Sequence, residues 1–323
     1  MAFNQGRLRH IIDACLGENP CDAEIRFDEP MAAHTTFNVG GPADCWVRPG
    51  PAGFPAFSAA LAQAARSECI PFFVLGGGAN IVVADRGIRG FVLDTSSWAG
   101  LVDSGGSGCH TLRFRSGTEL DRAADIAASA GLSGLEFVAG MPGTIGGAVW
   151  MNARCYGHDI AGVLAETETV DFSGPEPERK ICPARPGDFS YKRSPFQTLD
   201  ALILGAAFRL TAGDEKKIRA TMDGYRRDRE AKGHYRCPSA GSAFKNNHAF
   251  GKPSGQIIDE LGLRSLQNGR AQVAPWHGNI IINTGGARAS DVRLLLDEVA
   301  ARVRSAAGFV LEPEILFVGD WPD

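Results

Sequence analysis

The chain has 323 residues, 44% of them apolar and 22% charged, with a formal net charge of −4. That length allows two or three domains, each with its own core. The slight acidity argues against a nucleic-acid surface, and no apolar run reaches the roughly 18 residues of a membrane span.

The opening MAFNQGRLRHIIDACLGENP reads as a short amphipathic helix with no apolar signal core, so a cytoplasmic protein is expected. ADCWVRP (43–49) reads as a strand and residues 55–70 as a helix with an alanine and leucine stripe. PFFVL and GFVLD read as strands on either side of Gly76, Gly77 and Gly78. Glycine permits positive φ and close approach. The triple glycine is therefore either a tight turn or a loop whose backbone N–H groups hold a phosphate or a ring. Thr118 is expected as an N-cap, with Asp121 three positions on, opening a helix over 119–130 that ends before Gly131.

Residues 131–157, GLSGLEFVAGMPGTIGGAVWMNARCYG, are too rich in glycine for regular helix or strand, yet apolar enough to be buried. A buried irregular segment needs partners for its backbone groups, and a ligand is one source of them. ETVDFSG, DFSYKRSPF and LDALILGAAFRLTAG read as further strands of one sheet. A charged helix over 214–233 leads toward a new domain, followed by SGQIIDELGL and a strand in NIIINTGG. Ser290 is expected to begin a helix over 291–307, with Val292, Leu295, Leu296, Val299 and Val303 on one stripe. A last strand is expected over 309–318. The eight cysteines and seven histidines are scattered without metal-ligand spacing, so free thiols and no metal site are expected.

The standard nucleotide motifs fail. Gly76 and Gly78 are followed by Ile81, which breaks the G-x-G-x-x-G pattern, and no glycine-rich stretch is followed by the lysine of a P-loop. Two glycine loops, Gly76–Asn80 and Gly140–Gly147, fit neither standard phosphate cradle. Two such loops point to a ligand longer than a mononucleotide.

Taken in order, HTTFNVGGPAD, FFVLGGGANIVVADRGIRGFVL, GLEFVAGMPGTIGGAVWMNARCYG, FSYKRSPF, PSAGSAFKN and LEPEILFVG resemble the UDP-N-acetylenolpyruvoylglucosamine reductase (MurB) family. The resemblance covers about residues 34–319. It implies an α+β protein with an FAD-binding fold of the vanillyl-alcohol oxidase type. Two α+β subdomains (1–95 and 96–212) would hold FAD, and a C-terminal α+β domain (213–323) would bind substrate. It further implies reduction of the enolpyruvyl ether of UDP-N-acetylglucosamine to UDP-N-acetylmuramate with NADPH, for peptidoglycan precursors, by a cytoplasmic monomer. Without an inserted tyrosine-bearing segment before Lys232, the chain looks like the family subtype lacking that loop.

By this resemblance Gly76, Gly77, Gly78, Ala79 and Asn80 cradle the FAD diphosphate, with Ala79 where the family more often has serine. Gly140, Pro142, Gly143, Thr144, Ile145, Gly146 and Gly147 would run beside the flavin. Arg154 stands where the family more often has glycine. Hydride addition to a vinyl ether conjugated to a carboxylate leaves an enolate, which needs donors or positive charge and then a proton. Ser242 matches the family's proton donor, although alone it reads as a turn or N-cap hydroxyl. Glu314 matches the catalytic glutamate; on an extended strand it shares a face with Glu312, and Pro313 marks that strand as an edge. Alone, the pair reads as two solvated carboxylates.

The family's catalytic arginine follows a tyrosine, which aligns it with Lys192, one residue before Arg193. Neighbouring strand residues face opposite ways, so Arg193 needs a local bulge to substitute. Bidentate grip on a carboxylate tips the reading to Arg193, with Lys192 kept beside it. Tyr191, Lys232, Asn246 and His277 are implied as substrate-binding. Two rival readings remain: an FAD oxidase of the same superfamily, with His34 and Cys155 as conceivable attachment points, and a non-catalytic nucleotide-sugar binder.

Overall fold

The structure, a computed structural model, describes residues 3–103 and 110–322; Cys109, read above as a free thiol, lies outside them. The other seven cysteines are free thiols. No helix among the described residues is long and apolar enough to cross a membrane. The chain packs into two compact units of interleaved segments: residues 1–27, 45–77 and 90–227, and residues 28–44, 78–89 and 228–323.

In the first unit, α1 (Gln5–Glu18) starts at Asn4, whose side chain accepts from the Arg7 N–H, and α2 (Phe54–Ser67) has proline in its first turn. Leu8, Ile12, Phe57 and Leu61 of these helices bury against Cys45, Val47 and Phe91. Strand Phe72–Leu75 pairs in parallel with residues 91–94. A five-stranded antiparallel sheet follows the order 178–183, 164–171, 201–209, 111–115, 101–103. Its central strand, Ala201–Arg209, is apolar along its length because both faces are covered. Ile203 and Phe208 pack with α3 (Leu120–Ser129) and α4 (Ile145–Met151). Leu202 and Leu204 pack with Phe54, Leu93 and Phe172. The charged helix is α5 (Glu215–Ala231), and its Ile218 and Met222 join the α3–α4 core.

The second unit holds an antiparallel sheet in the order 239–242, 280–283, 271–273, 267–268, with α6 (Ser254–Glu260) and α7 (Ala289–Ala307). The expected stripe of α7 is its buried face, packed with Val273, Ile281, Phe244 and Ile315. Strand Ile81–Val83 pairs in parallel with Leu316–Val318.

Five local expectations are corrected. Thr118 does not cap α3, whose N-cap is Glu119; the Thr118 hydroxyl instead accepts from the Gly100 N–H at 2.8 Å. Residues 145–151 do form a helix despite Gly146 and Gly147. Thr144 caps it, and Ile145, Ala148 and Val149 are buried, so packing overrides the weak propensity. DFSYKRSPF is a turn rather than a strand. Ser290 lies inside α7, whose first free N–H groups at Ala289 and Ser290 donate to Asp85 at 2.8 and 3.1 Å. The last strand is only Leu316–Val318, since Pro313 has no N–H to continue a ladder. Strands Ile81–Val83 and Glu178–Pro183 were not anticipated.

Candidate active site

Ser242 ends strand Ser239–Ser242, opposite Ile280, after Gly241 at φ 74° and a register shift that breaks regular alternation. The next two residues are held by one buried residue. Ala243 N–H donates to the Asn279 carbonyl at 2.8 Å, Phe244 N–H donates to Asn279 Oδ1 at 2.9 Å, and Asn279 Nδ2 donates to the Phe244 carbonyl at 2.8 Å. Phe244 then bridges Pro313 antiparallel, with Lys245 N–H on the Glu312 carbonyl and Glu314 N–H on the Ala243 carbonyl, both 2.8 Å. Thus the serine and glutamate segments meet by backbone pairing, although they are some seventy residues apart in sequence. Glu312 is not a second free carboxylate here: it takes a 2.5 Å ion pair from Lys245. From the other side Asn80 Nδ2 donates to the Glu314 carbonyl at 3.1 Å.

The glycines explain themselves by what a side chain would strike. A Cβ on Gly76 would lie 2.7 Å from Thr144 Oγ1, and one on Gly77 would lie 2.8 Å from the Gly143 Cα. The two glycine loops therefore touch, backbone to backbone. Gly78, at φ 60°, would put a Cβ 2.0 Å from the His34 carbonyl. Much of the second loop is held by protein. Gly140 N–H donates to Asp121 Oδ1 at 2.6 Å, Ile145 N–H to the Thr118 carbonyl and Gly146 N–H to the Ser116 carbonyl, both 2.8 Å. Asp121 is itself gripped by Arg226 of α5 at 2.7 Å. Here the buried irregular segment finds many of its partners in the fold.

Tyr191 and Lys192 are the corner of a two-residue turn, with Ser190 and Arg193 exchanging both backbone hydrogen bonds at 3.1 and 3.0 Å. Lys192 takes φ 59°, the left-handed region, so the strand alternation and the bulge considered for Arg193 do not apply. The turn is pinned to the end of α4. Asn152 Nδ2 donates to the Ser190 carbonyl at 2.9 Å, Ser194 Oγ to the Trp150 carbonyl at 2.6 Å, and Gln197 Nε2 to the Lys192 carbonyl at 3.1 Å. Lys192 is half-buried and Arg193 exposed. The Arg154 guanidinium lies over the Tyr191 ring at 5.8 Å.

Comparison with known proteins places these features. A family model described as the C-terminal domain of UDP-N-acetylenolpyruvoylglucosamine reductase matches residues 233–318, and one described as an FAD binding domain matches 57–174. The UDP-N-acetylenolpyruvoylglucosamine reductase of Treponema denticola is 38% identical over 310 residues, covering 93% of this chain and 95% of that protein. That of Treponema pallidum is 40% identical over 342 residues, covering 91% and 94%. The chain belongs to the UDP-N-acetylenolpyruvoylglucosamine reductase family. The crystal structure of the Thermus caldophilus reductase is 30% identical with a TM-score of 0.73, covering 94% of this chain and all (100%) of that one.

The family's cofactor is FAD, and the first loop fits it. Among the described residues the N–H groups of Gly77, Gly78, Ala79 and Asn80 donate to no protein acceptor, and a run of free N–H groups on a loop nearly without side chains suits a diphosphate. The Asn80 amide is not part of that set, since Glu314 takes it. His34, a conceivable flavin attachment point in the oxidase reading, has Nε2 on Glu29 at 2.8 Å.

The softer reductase-family residues are scattered in role. Lys232 is exposed and ion-paired with Asp228 at 2.7 Å one turn earlier. Asn246 Oδ1 accepts from the Ser254 N–H at 2.9 Å, which ties it to the start of α6. His277 Nδ1 accepts from the Asn279 N–H at 3.1 Å, so its ring carries any neutral-form proton on Nε2. Sequence reasoning missed Asn279 and Asn152. Both are polar residues nearly closed off from solvent (4% and 1% exposed), a state that only the fold reveals.

Proposed function

We propose that the chain reduces UDP-N-acetylglucosamine enolpyruvate to UDP-N-acetylmuramate, a step of peptidoglycan precursor synthesis, with NADPH as reductant. The observation that carries this reading is 38% identity to a named reductase over 93% of the chain, with Ser242 and Glu314 on paired segments. Bound FAD supplies the hydride-carrying redox centre. Gly77, Gly78, Ala79 and Asn80 offer it their N–H groups, and Gly140, Pro142, Gly143, Thr144, Ile145, Gly146 and Gly147 serve its flavin end.

In this reading Ser242 gives its hydroxyl proton to the substrate carbon next to the carboxylate. The negative oxygens formed when hydride arrives are basic enough to draw it. Glu314 orients or supplies a donor near that carbon. A cation from the Tyr191–Arg193 turn stabilises the developing charge. Lys192 suits that role better than Arg193, because it holds the aligned position, the turn corner and the more sheltered place. Lys232, Asn246, His277 and Tyr191 contact the substrate. The division into residues 1–95, 96–212 and 213–323 belongs to this reading: the five-stranded sheet falls within the second part and the sheet with α6 and α7 within the third. So does a monomer working in the cytoplasm.

The test is the visible spectrum of the purified protein without oxygen. The expected result is a flavin band that bleaches with NADPH and returns on adding UDP-N-acetylglucosamine enolpyruvate. A protein that neither carries nor takes up FAD would overturn the reading and leave a nucleotide-sugar binder. A band that returns only in air would make it an oxidase.

A further inference from the structure

Asn80 stands where the run of free N–H groups ends, and both its main chain and its side chain are given to the carboxylate segment. Its carbonyl accepts from the Leu316 N–H at 3.0 Å, and its Nδ2 donates to the Glu314 carbonyl at 3.1 Å. Strand Ile81–Val83 continues the grip by pairing with Leu316–Val318. The backbone of Glu314 is held from both sides. Pro313 before it cannot donate, regular strand structure begins only two residues later, and its N–H goes to the Ala243 carbonyl beside Ser242. Its N–H thus meets the serine segment and its carbonyl meets the loop.

We propose that Asn80 is a positioning residue for Glu314: the loop that receives the diphosphate also sets the place of the catalytic carboxylate, so that loading one orders the other. This rests on the role given to Glu314 under the proposed function. The side-chain amide of Asn80 thereby serves the site through a neighbour rather than through direct contact with phosphate.

The test uses FAD-loaded protein carrying Asn80→Asp, which keeps the side-chain volume and removes the donor, with Asn80→Ala beside it. Three quantities are read: flavin content, the two half-reactions separately, and amide exchange at residues 312–318. Flavin content and bleaching by NADPH are expected to stay within about threefold of the parent. Substrate-driven reoxidation is expected to slow about tenfold or more, and the Glu314 and Leu316 amides to exchange about tenfold faster, the scale of one lost hydrogen bond. Asn80→Asp added to Glu314→Gln is expected to cause no further slowing, because both act through one carboxylate.

Equal slowing of both half-reactions, loss of flavin from Asn80→Asp, or full additivity with Glu314→Gln would overturn the proposal and make Asn80 a plain cofactor-loop residue. Unchanged reoxidation in Glu314→Gln alone would instead overturn the role of Glu314, and the proposal with it. Slow Glu314→Gln with normal Asn80→Asp would sink only the proposal.

Discussion

Lys192, to which the proposed function gives the stabilising cation, sits at a positive backbone angle. A non-glycine residue at φ 59° carries strain of about 1 kcal/mol that glycine would not. That angle is held by a three-point anchor, from Asn152, Ser194 and Gln197. Lys192→Gly is therefore expected to stabilise the fold by up to about 1 kcal/mol, less glycine's extra chain entropy, while slowing substrate-driven flavin reoxidation by about a hundredfold. Arg193→Ala is expected to leave reoxidation within about threefold, since its side chain is exposed and the turn's backbone bonds remain. Urea unfolding and stopped-flow reoxidation check the two halves. Fast Lys192→Gly with slow Arg193→Ala would return the role to Arg193. The sequence showed two adjacent cations but not which one occupies the corner, because a two-residue turn without glycine, asparagine or proline has no local signal.

Among the elements, α7 shows how a helix start can be legible in pattern and hidden in cause. Its apolar stripe was readable from 3.6-residue periodicity. Its cap was not, because the acceptor of its free N–H groups is Asp85, some two hundred positions earlier. Burial alone would raise the Asp85 carboxyl. Hydrogen bonds from the Ser290 side chain and from the Ala289 and Ser290 N–H groups, with the Arg288 charge, outweigh it and hold the group below the usual carboxylate range. Asp85→Ala is expected to cost about 1–2 kcal/mol, the scale of a lost N-cap. Equilibrium denaturation at pH 7 measures it, and the difference should shrink toward pH 3 as the parent's carboxylate is protonated. A loss that stays constant across that range would mean the side chain acts by packing. The short α4 is the opposite case: its cap, Thr144, is local, but the glycine content of 131–157 argued against any helix, and sequence alone does not count the buried contacts of Ile145, Ala148 and Val149.

At the scale of the molecule, six motifs in order carried the family, whereas the grouping of residues 28–44, 78–89 and 228–323 into one unit was not readable. It depends on bonds such as Thr36 Oγ1 to the Ser239 carbonyl and Asn283 Nδ2 to the Phe37 carbonyl, whose partners are 203 and 246 residues apart. That unit also collects two histidines whose rings lie 6.0 Å apart. Burial, then the charges of Arg229, His277 and Lys232, push His234 down to about 4, with Asp228 opposing. Burial, then Lys232 and Arg264, lower His277, against its own backbone hydrogen bond and Asp259. An unfolded histidine binds its proton near pH 6.5. Between that value and about 4 the unfolded chain takes up protons that the native state excludes, so stability must fall as pH drops through this window. Paired carboxylates act lower: Asp171, held at about 2 by hydrogen bonds from Lys180 and then Ser173, loses its contribution only below about pH 4. The urea midpoint of the FAD-loaded protein is therefore expected to decline from pH 7 to pH 5, and His234→Gln to flatten that decline with little change at pH 7. A parent profile that is level over this range, or an unaltered slope in His234→Gln, would mean that these rings take protons without cost to the fold.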